Sequence, residues 1–276
     1  MLYHNYITNS SFLHYQNIDK KKIDYILDEL NNVEPHQENY FSKNFGDRYF
    51  SKEIAIKIGS IREKIEDMKN NITIQEKYIL ITSLIYGMDK IANTVGHYDA
   101  FIKKDIKSQK LELKLLEIDT IKNQGNKIYN CDANQLIRKI ECDILYLDPP
   151  YNSRQYSDAY HLLENLAHWE KPPVFGIAKK FDRNHIKSNY NKVSATKSFE
   201  NLILNARTKH ILLSYNNMEN KGNNRSNAKM TDNDILRILG TRGEVKIFEK
   251  EFKEYNTGNK LRGQNMERVF FVKVEK

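Results

Sequence analysis

The sequence predicts an α/β fold. Two short apolar runs, Ile144–Leu147 and His210–Tyr215, alternate with helical stretches, and two alternating runs, Glu244–Tyr255 and Met266–Glu275, close the chain. Short continuous apolar runs read as strands covered on both faces, as in parallel sheets. The last two runs, joined by a Gly258–Gly263 loop, read as an antiparallel hairpin closing the sheet.

Taken in order, Met1–Tyr15 is aromatic and polar and reads as a helix end plus a loop. Lys20–Asn32 carries Ile23, Ile26, Leu27 and Leu30 on one helical face. Ser51–Asn70 is a helix with Ser51 at its cap, and Thr73–Ala92 is a second, with Gln75 and Glu76 in its first turn. Leu111–Leu116 alternates leucine with charge and predicts a half-buried strand. Lys127–Ala133 reads as a strand end passing into a helix over Ala133–Lys139, with Asp132 placed to cap it. A helix follows over Ala159–Trp169. Pro172 and Pro173 break regular structure after it, and the polar stretch Lys179–Lys197 reads as a mobile loop. Ser198–Ala206 is a short helix, and Thr231 caps another over Asp232–Leu239.

The 276 residues carry a net charge of +8, which favours a polyanionic partner such as nucleic acid. Phe41–Arg48, running into Tyr49, and Gly96–Lys110, with Tyr98, Lys103 and Lys104, set aromatic rings beside cations. That combination suits phosphate neutralisation and base stacking, and equally a solvated basic loop with core aromatics. Two cysteines, Cys131 and Cys142, give neither a disulfide framework nor metal spacing. His161 and His168, seven apart without a third ligand, read as packing. No apolar run is long enough to span a membrane, so the expected location is the cytoplasm.

The chemistry concentrates at Asp148-Pro149-Pro150-Tyr151. Prolines cannot donate to a sheet ladder, so the strand Ile144–Leu147 must end there. A carboxylate, a proline carbonyl and a ring then sit at the carboxyl end of a strand, where open α/β sheets bind ligands. An ionised carboxylate only accepts hydrogen bonds, and Pro149 presents a carbonyl on a fixed φ. Two such acceptors aimed at the N–H bonds of an aromatic amine localise its lone pair, while Tyr151 can stack on an extruded base.

This tetrad, its extension Asn152-Ser153-Arg154-Gln155-Tyr156, the run Tyr160-His161-Leu162-Leu163-Glu164 and the later Leu213-Ser214-Tyr215-Asn216-Asn217 resemble the Dam-like, FokI-type adenine-N6 DNA methyltransferases of restriction–modification systems. The resemblance implies a Rossmann-like methyltransferase sheet, incomplete at its N-terminal side, with a helical target-recognition insertion. It implies S-adenosylmethionine as methyl donor and double-stranded DNA as substrate. By the same resemblance Asp148, Pro149, Pro150 and Tyr151 are catalytic, and Asp132 and Asp148 meet the cofactor. Arg48, Tyr49, Tyr98, Lys103, Lys104, Asn152, Arg154 and Tyr156 are expected at DNA. The organisation expected is an N-terminal remnant over 1–30, target recognition over 31–125 and a catalytic domain over 126–276.

The family's Phe-x-Gly-x-Gly turn, which cradles the cofactor, matches none of the eleven glycines, the first of which is Gly46. A second polypeptide or an upstream segment is expected to supply it. The alternatives are a non-catalytic DNA-binding remnant or specificity subunit, and a methyltransferase acting on RNA or on protein glutamine. Asp rather than Asn at position 148 argues against the glutamine version.

Overall fold

The computed structural model describes residues 2–34, 36–103, 106, 109–117, 125–216, 228–251 and 266–275. The elements run α1 (Tyr3–Leu13), α2 (Lys20–Asn31), α3 (Tyr40–Phe45), α4 (Lys52–Asp67), α5 (Ile74–Asp89), α6 (Ala133–Leu136), β1 (Cys142–Leu147), α7 (Tyr156–Ala159), α8 (His161–His168), α9 (Ala195–Asn205), β2 (Thr208–Ser214), α10 (Asp232–Gly240), β3 (Val245–Glu251) and β4 (Met266–Lys273). They fall into two compact units, Met1–Asn130 with Tyr156–Ile186, and Cys131–Gln155 with Lys187–Lys276.

The described residues of the first unit form helices and loops. Its helices begin where the caps place them. Asp19 accepts from the Lys22 N–H, Ser51 from that of Ile54, and Thr73 and Glu76 form a reciprocal capping box. Asn39 caps α3 in the same way, and a side chain at Gly59 of α4 would collide with it. The core is built from Ile7, Leu30, Phe41, Phe45, Ile58, Leu84 and Leu166, all fully buried. Arg62 of α4 is buried with them. Its Nε and Nη2 donate to the terminal carbonyls of α8, Leu166 (2.9 Å) and Ala167 (3.3 Å), and Nη1 donates to Glu66 (2.9 Å). The last carbonyls of a helix lack intrahelical partners, so this guanidinium acts as a side-chain cap.

The predicted strand Leu111–Leu116 is not a strand. Its alternation is real, since Leu111 and Leu113 are buried while Glu112 and Lys114 face out. The partner is a side chain: Asn31 accepts from the Leu113 N–H (2.8 Å) and donates to the Leu113 carbonyl (2.9 Å). One amide thereby replaces a strand ladder. Lys127–Cys131 likewise forms no strand.

In the second unit the sheet order is β1-β2-β4-β3. β1 and β2 are parallel, pairing Ile144 with His210 and Leu147 with Leu213. β4 is antiparallel to both β2 and β3, which gives the expected terminal hairpin. The predicted Gly258–Gly263 loop lies outside the described residues. Leu145, Ile211, Leu213, Phe270 and Val272 point to one face and form a core with Phe199, Leu202 and Ile203 of α9 and Ile235 and Ile238 of α10.

β1 departs from expectation by being buried on one face only. Ile144 and Tyr146 alternate with Leu145 and are 58% and 60% exposed. By register, Leu212, Phe271 and Phe248 share their face. The helices of this unit send their apolar residues to the other face, and β1 is an edge strand of the described sheet.

The polar stretch expected to be mobile is anchored instead. In the first unit Arg183 donates to Asp158 through Nε (2.9 Å) and Nη2 (2.7 Å). In the second, a 3-10 turn over Asn189–Asn191 is fixed by Ser188, which accepts from the Tyr190 N–H, and by the Asn191 amide, which donates to two carbonyls of the 152–154 segment.

Candidate active site

β1 ends at Leu147, and Asp148 follows it with its side chain exposed. Asp148 makes no hydrogen bond or ion pair with any described residue, so both carboxylate oxygens stay open as acceptors. Pro149 and Pro150 are half-buried and stop the ladder as predicted.

The segment after the prolines is held from three sides. The Tyr151 carbonyl accepts from the Tyr215 hydroxyl (3.2 Å) and from the Lys229 N–H (2.7 Å). The Tyr151 and Tyr215 rings meet edge to face at 6.5 Å. The Asn191 side-chain amide donates to the carbonyls of Asn152 (2.6 Å) and Arg154 (2.9 Å). Gln155 and Ser188 exchange hydrogen bonds at 3.1 and 2.9 Å. Asn152 itself accepts from the Arg154 N–H (2.9 Å), closing a tight Asx turn that leaves Arg154 exposed.

A second clamp stands behind Tyr215. Arg268 of β4 is buried and binds Asp232 through two bonds (2.7 and 2.8 Å), and it also donates to the Asn216 carbonyl (2.7 Å). Bidentate geometry suits a guanidinium, and the pair fixes the turn after β2 to the start of α10. Sequence reading missed Tyr215, Asn191 and Arg268 as site-building residues. Tyr215 carried a usable signal, because it directly follows a parallel strand as Asp148 does.

Asp132 caps α6, accepting from the N–H groups of Asn134 (2.9 Å) and Gln135 (3.2 Å). α6 is only four residues long, shorter than the predicted Ala133–Lys139. Nearby, the Tyr190 hydroxyl donates to Asn134 (2.9 Å), and burial, reinforced by the Asp132 charge, raises its pKa.

The expected DNA-contacting residues of the first unit separate into two kinds. Tyr49 and Tyr98 are core. Tyr49 is fully buried and donates to the carbonyls of Tyr98 (2.7 Å) and Ala178 (3.1 Å), and the buried Tyr98 donates to Asp89 (2.8 Å). Burial drives both phenols upward, and neither ring has surface to offer a base. Arg48 is half-buried, Lys103 is exposed, and Tyr156 is 57% exposed and stacked on Tyr160. Lys104 lies outside the described residues.

Residues 2–226 match the family model for the D12 class N6 adenine-specific DNA methyltransferase. The chain belongs to this family. Three relatives sharpen the placement. It is 38% identical over 230 residues to modification methylase StsI of Streptococcus sanguinis, covering 81% of this chain and 34% of the relative. It is 38% identical over 268 residues to type II methyltransferase M.NlaIII of Neisseria lactamica, covering 92% and 75%. It is 34% identical over 235 residues to type II methyltransferase M.FokI of Planomicrobium okeanokoites, covering 82% and 35%. The chain thus spans about a third of the StsI and FokI relatives and three quarters of M.NlaIII. No solved structure gives a significant match. The partial four-stranded mixed sheet is consistent with the fold of this family.

Proposed function

We propose that the chain is the catalytic and target-recognition part of a site-specific DNA adenine-N6 methyltransferase, working in the cytoplasm on a base flipped from double-stranded DNA. The observation that carries this reading is the open Asp148 carboxylate at the end of β1, beside a Tyr151 backbone fixed by buried partners. Asp148 and the Pro149 carbonyl accept the two N–H bonds of the adenine amino group, which concentrates its lone pair on nitrogen. Tyr151 stacks on the base face and holds the amine in line for transfer. Asn152, Arg154, Tyr156, Arg48 and Lys103 supply contacts to the DNA. S-adenosylmethionine supplies the electrophilic methyl when bound.

The donor set fits one end of that cofactor. Asp132 engages two backbone N–H groups through one oxygen and keeps the other for an amino group, and Asp148 lies open. The glycine turn for the rest has no counterpart in the sequence, so another polypeptide or segment is proposed to bring it. The apolar sheet face with Ile144, Tyr146 and Phe248 exposed, next to β1 at the edge of the described sheet, supports a covering partner.

Asp148→Ala tests the assignment. With a glycine-turn partner supplied, tritiated-methyl transfer to DNA is expected to fall at least about a hundredfold, with DNA retention close to wild type. Transfer that survives the substitution ends the role of Asp148. The missing glycine turn also favours a second reading, a non-catalytic DNA-binding or specificity subunit. Transfer that stays at background with every glycine-turn partner supplied, while DNA is still retained, selects it.

A further inference from the structure

Tyr215 does more than fill space beside the tetrad. Its ring is buried, yet its hydroxyl meets three main-chain groups. It donates to the Tyr151 carbonyl (3.2 Å) and accepts from the N–H groups of Lys229 (3.3 Å) and Met230 (3.2 Å). A hydroxyl has one hydrogen and two lone pairs, so its capacity is fully used. The Lys229 N–H is shared, reaching the same Tyr151 carbonyl at 2.7 Å. Three separate pieces of chain therefore converge on one oxygen: the end of the tetrad, the lead into α10, and the turn after β2.

Tyr215 is itself held. Its N–H donates to the Arg268 carbonyl (3.2 Å), and the Arg268 side chain binds Asp232 and the carbonyl of Asn216, the next residue. A ring needed only for the core would not require a buried hydroxyl, which costs free energy unless paired. Here the one proton goes to the Tyr151 carbonyl, one of the two accepted N–H groups, that of Lys229, reaches the same carbonyl, and the Tyr215 ring abuts the Tyr151 ring edge to face.

We propose that Tyr215 is a positioning residue for methyl transfer: its hydroxyl fixes the main chain at Tyr151 and thereby the plane of the stacking ring. This rests on the reading of Asp148–Tyr151 as the reacting centre. Tyr215→Phe removes the oxygen and keeps the ring.

Two readouts on the full chain test it. With 3-fluorotyrosine placed site-specifically at 151, the wild type is expected to give one narrow fluorine resonance, and Tyr215→Phe a broadened or split one. In methyl transfer with a glycine-turn partner supplied, kcat is expected to fall roughly tenfold while KM for DNA stays within about twofold. Ile235→Val, a core change in α10, serves as a destabilised control and is expected to leave both readouts at wild type. An unchanged fluorine line in Tyr215→Phe overturns the proposal, as does a rise in KM with kcat intact. If Asp148→Ala keeps full activity, the underlying assignment falls, and the fluorine spectrum still decides whether Tyr215 fixes Tyr151.

Discussion

The side-chain amide of Asn191 donates to the Asn152 carbonyl at 2.6 Å and to the Arg154 carbonyl at 2.9 Å. One buried residue thus fixes the turn that presents Arg154 directly after the tetrad. Asn191→Ala strands two part-buried carbonyls, at a cost of about 1–3 kcal/mol in stability. Limited proteolysis at 25 °C is expected to show faster cleavage within 152–155 than in wild type. An unchanged cleavage pattern would show that Gln155 and Ser188 suffice to hold the turn.

Arg154 and Lys103 are exposed cations on the two units, and each is proposed to meet a phosphate. A phosphate contact releases a counterion, so each alanine substitution is expected to reduce the slope of log K against log salt by about 1. Binding should weaken by similar factors on specific and random duplexes. A loss confined to one DNA sequence would point to base-edge contact instead.

The cofactor proposal has its own test. With no glycine turn in the 276 residues, the purified chain alone is expected to bind S-adenosylmethionine weakly or not at all in calorimetry. Micromolar binding by the isolated chain would refute the need for a partner.

Local chemistry was readable and distant partners were not. Ser51, Thr73 and Thr231 cap helices where the sequence places them, because a cap bonds residues two or three positions away. Pro149 and Pro150 end β1 for an equally local reason. Leu111–Leu116 failed because its partner, Asn31, lies 82 positions from Leu113. Tyr49 and Tyr98 look like a stacking surface beside basic residues, and only packing shows that their hydroxyls turn inward to Tyr98, Ala178 and Asp89. Asn191 and Arg268 gave no such signal, since each acts on chain 36 or more positions away, and Tyr215 showed only its place after β2 while its partner Tyr151 lies 64 positions off.

His161 is fully buried in the first unit, with Nδ1 3.0 Å from the Asp158 carbonyl and Nε2 2.7 Å from that of Ala178. Two carbonyls would welcome a second ring proton. Burial opposes it more strongly, helped by the charges of Lys180 and Arg183, and holds the pKa at about 4. The folded protein therefore resists a proton that the unfolded chain accepts near 6.5. Stability is complete above about pH 6.5 and declines as pH falls toward 4, by up to ~3 kcal/mol. Glu164 acts in a lower window. Burial alone would raise its pKa, but His168 at 3.7 Å and the hydrogen bonds from His4 (2.6 and 2.8 Å) overcome this and set it at about 2, so its contribution fades only between about 4.5 and 2. Urea unfolding midpoints measured from pH 7 to pH 4 are expected to fall in the wild type and to flatten in His161→Gln, which has no imidazole to protonate. An equal fall in both proteins would place the acid sensitivity elsewhere.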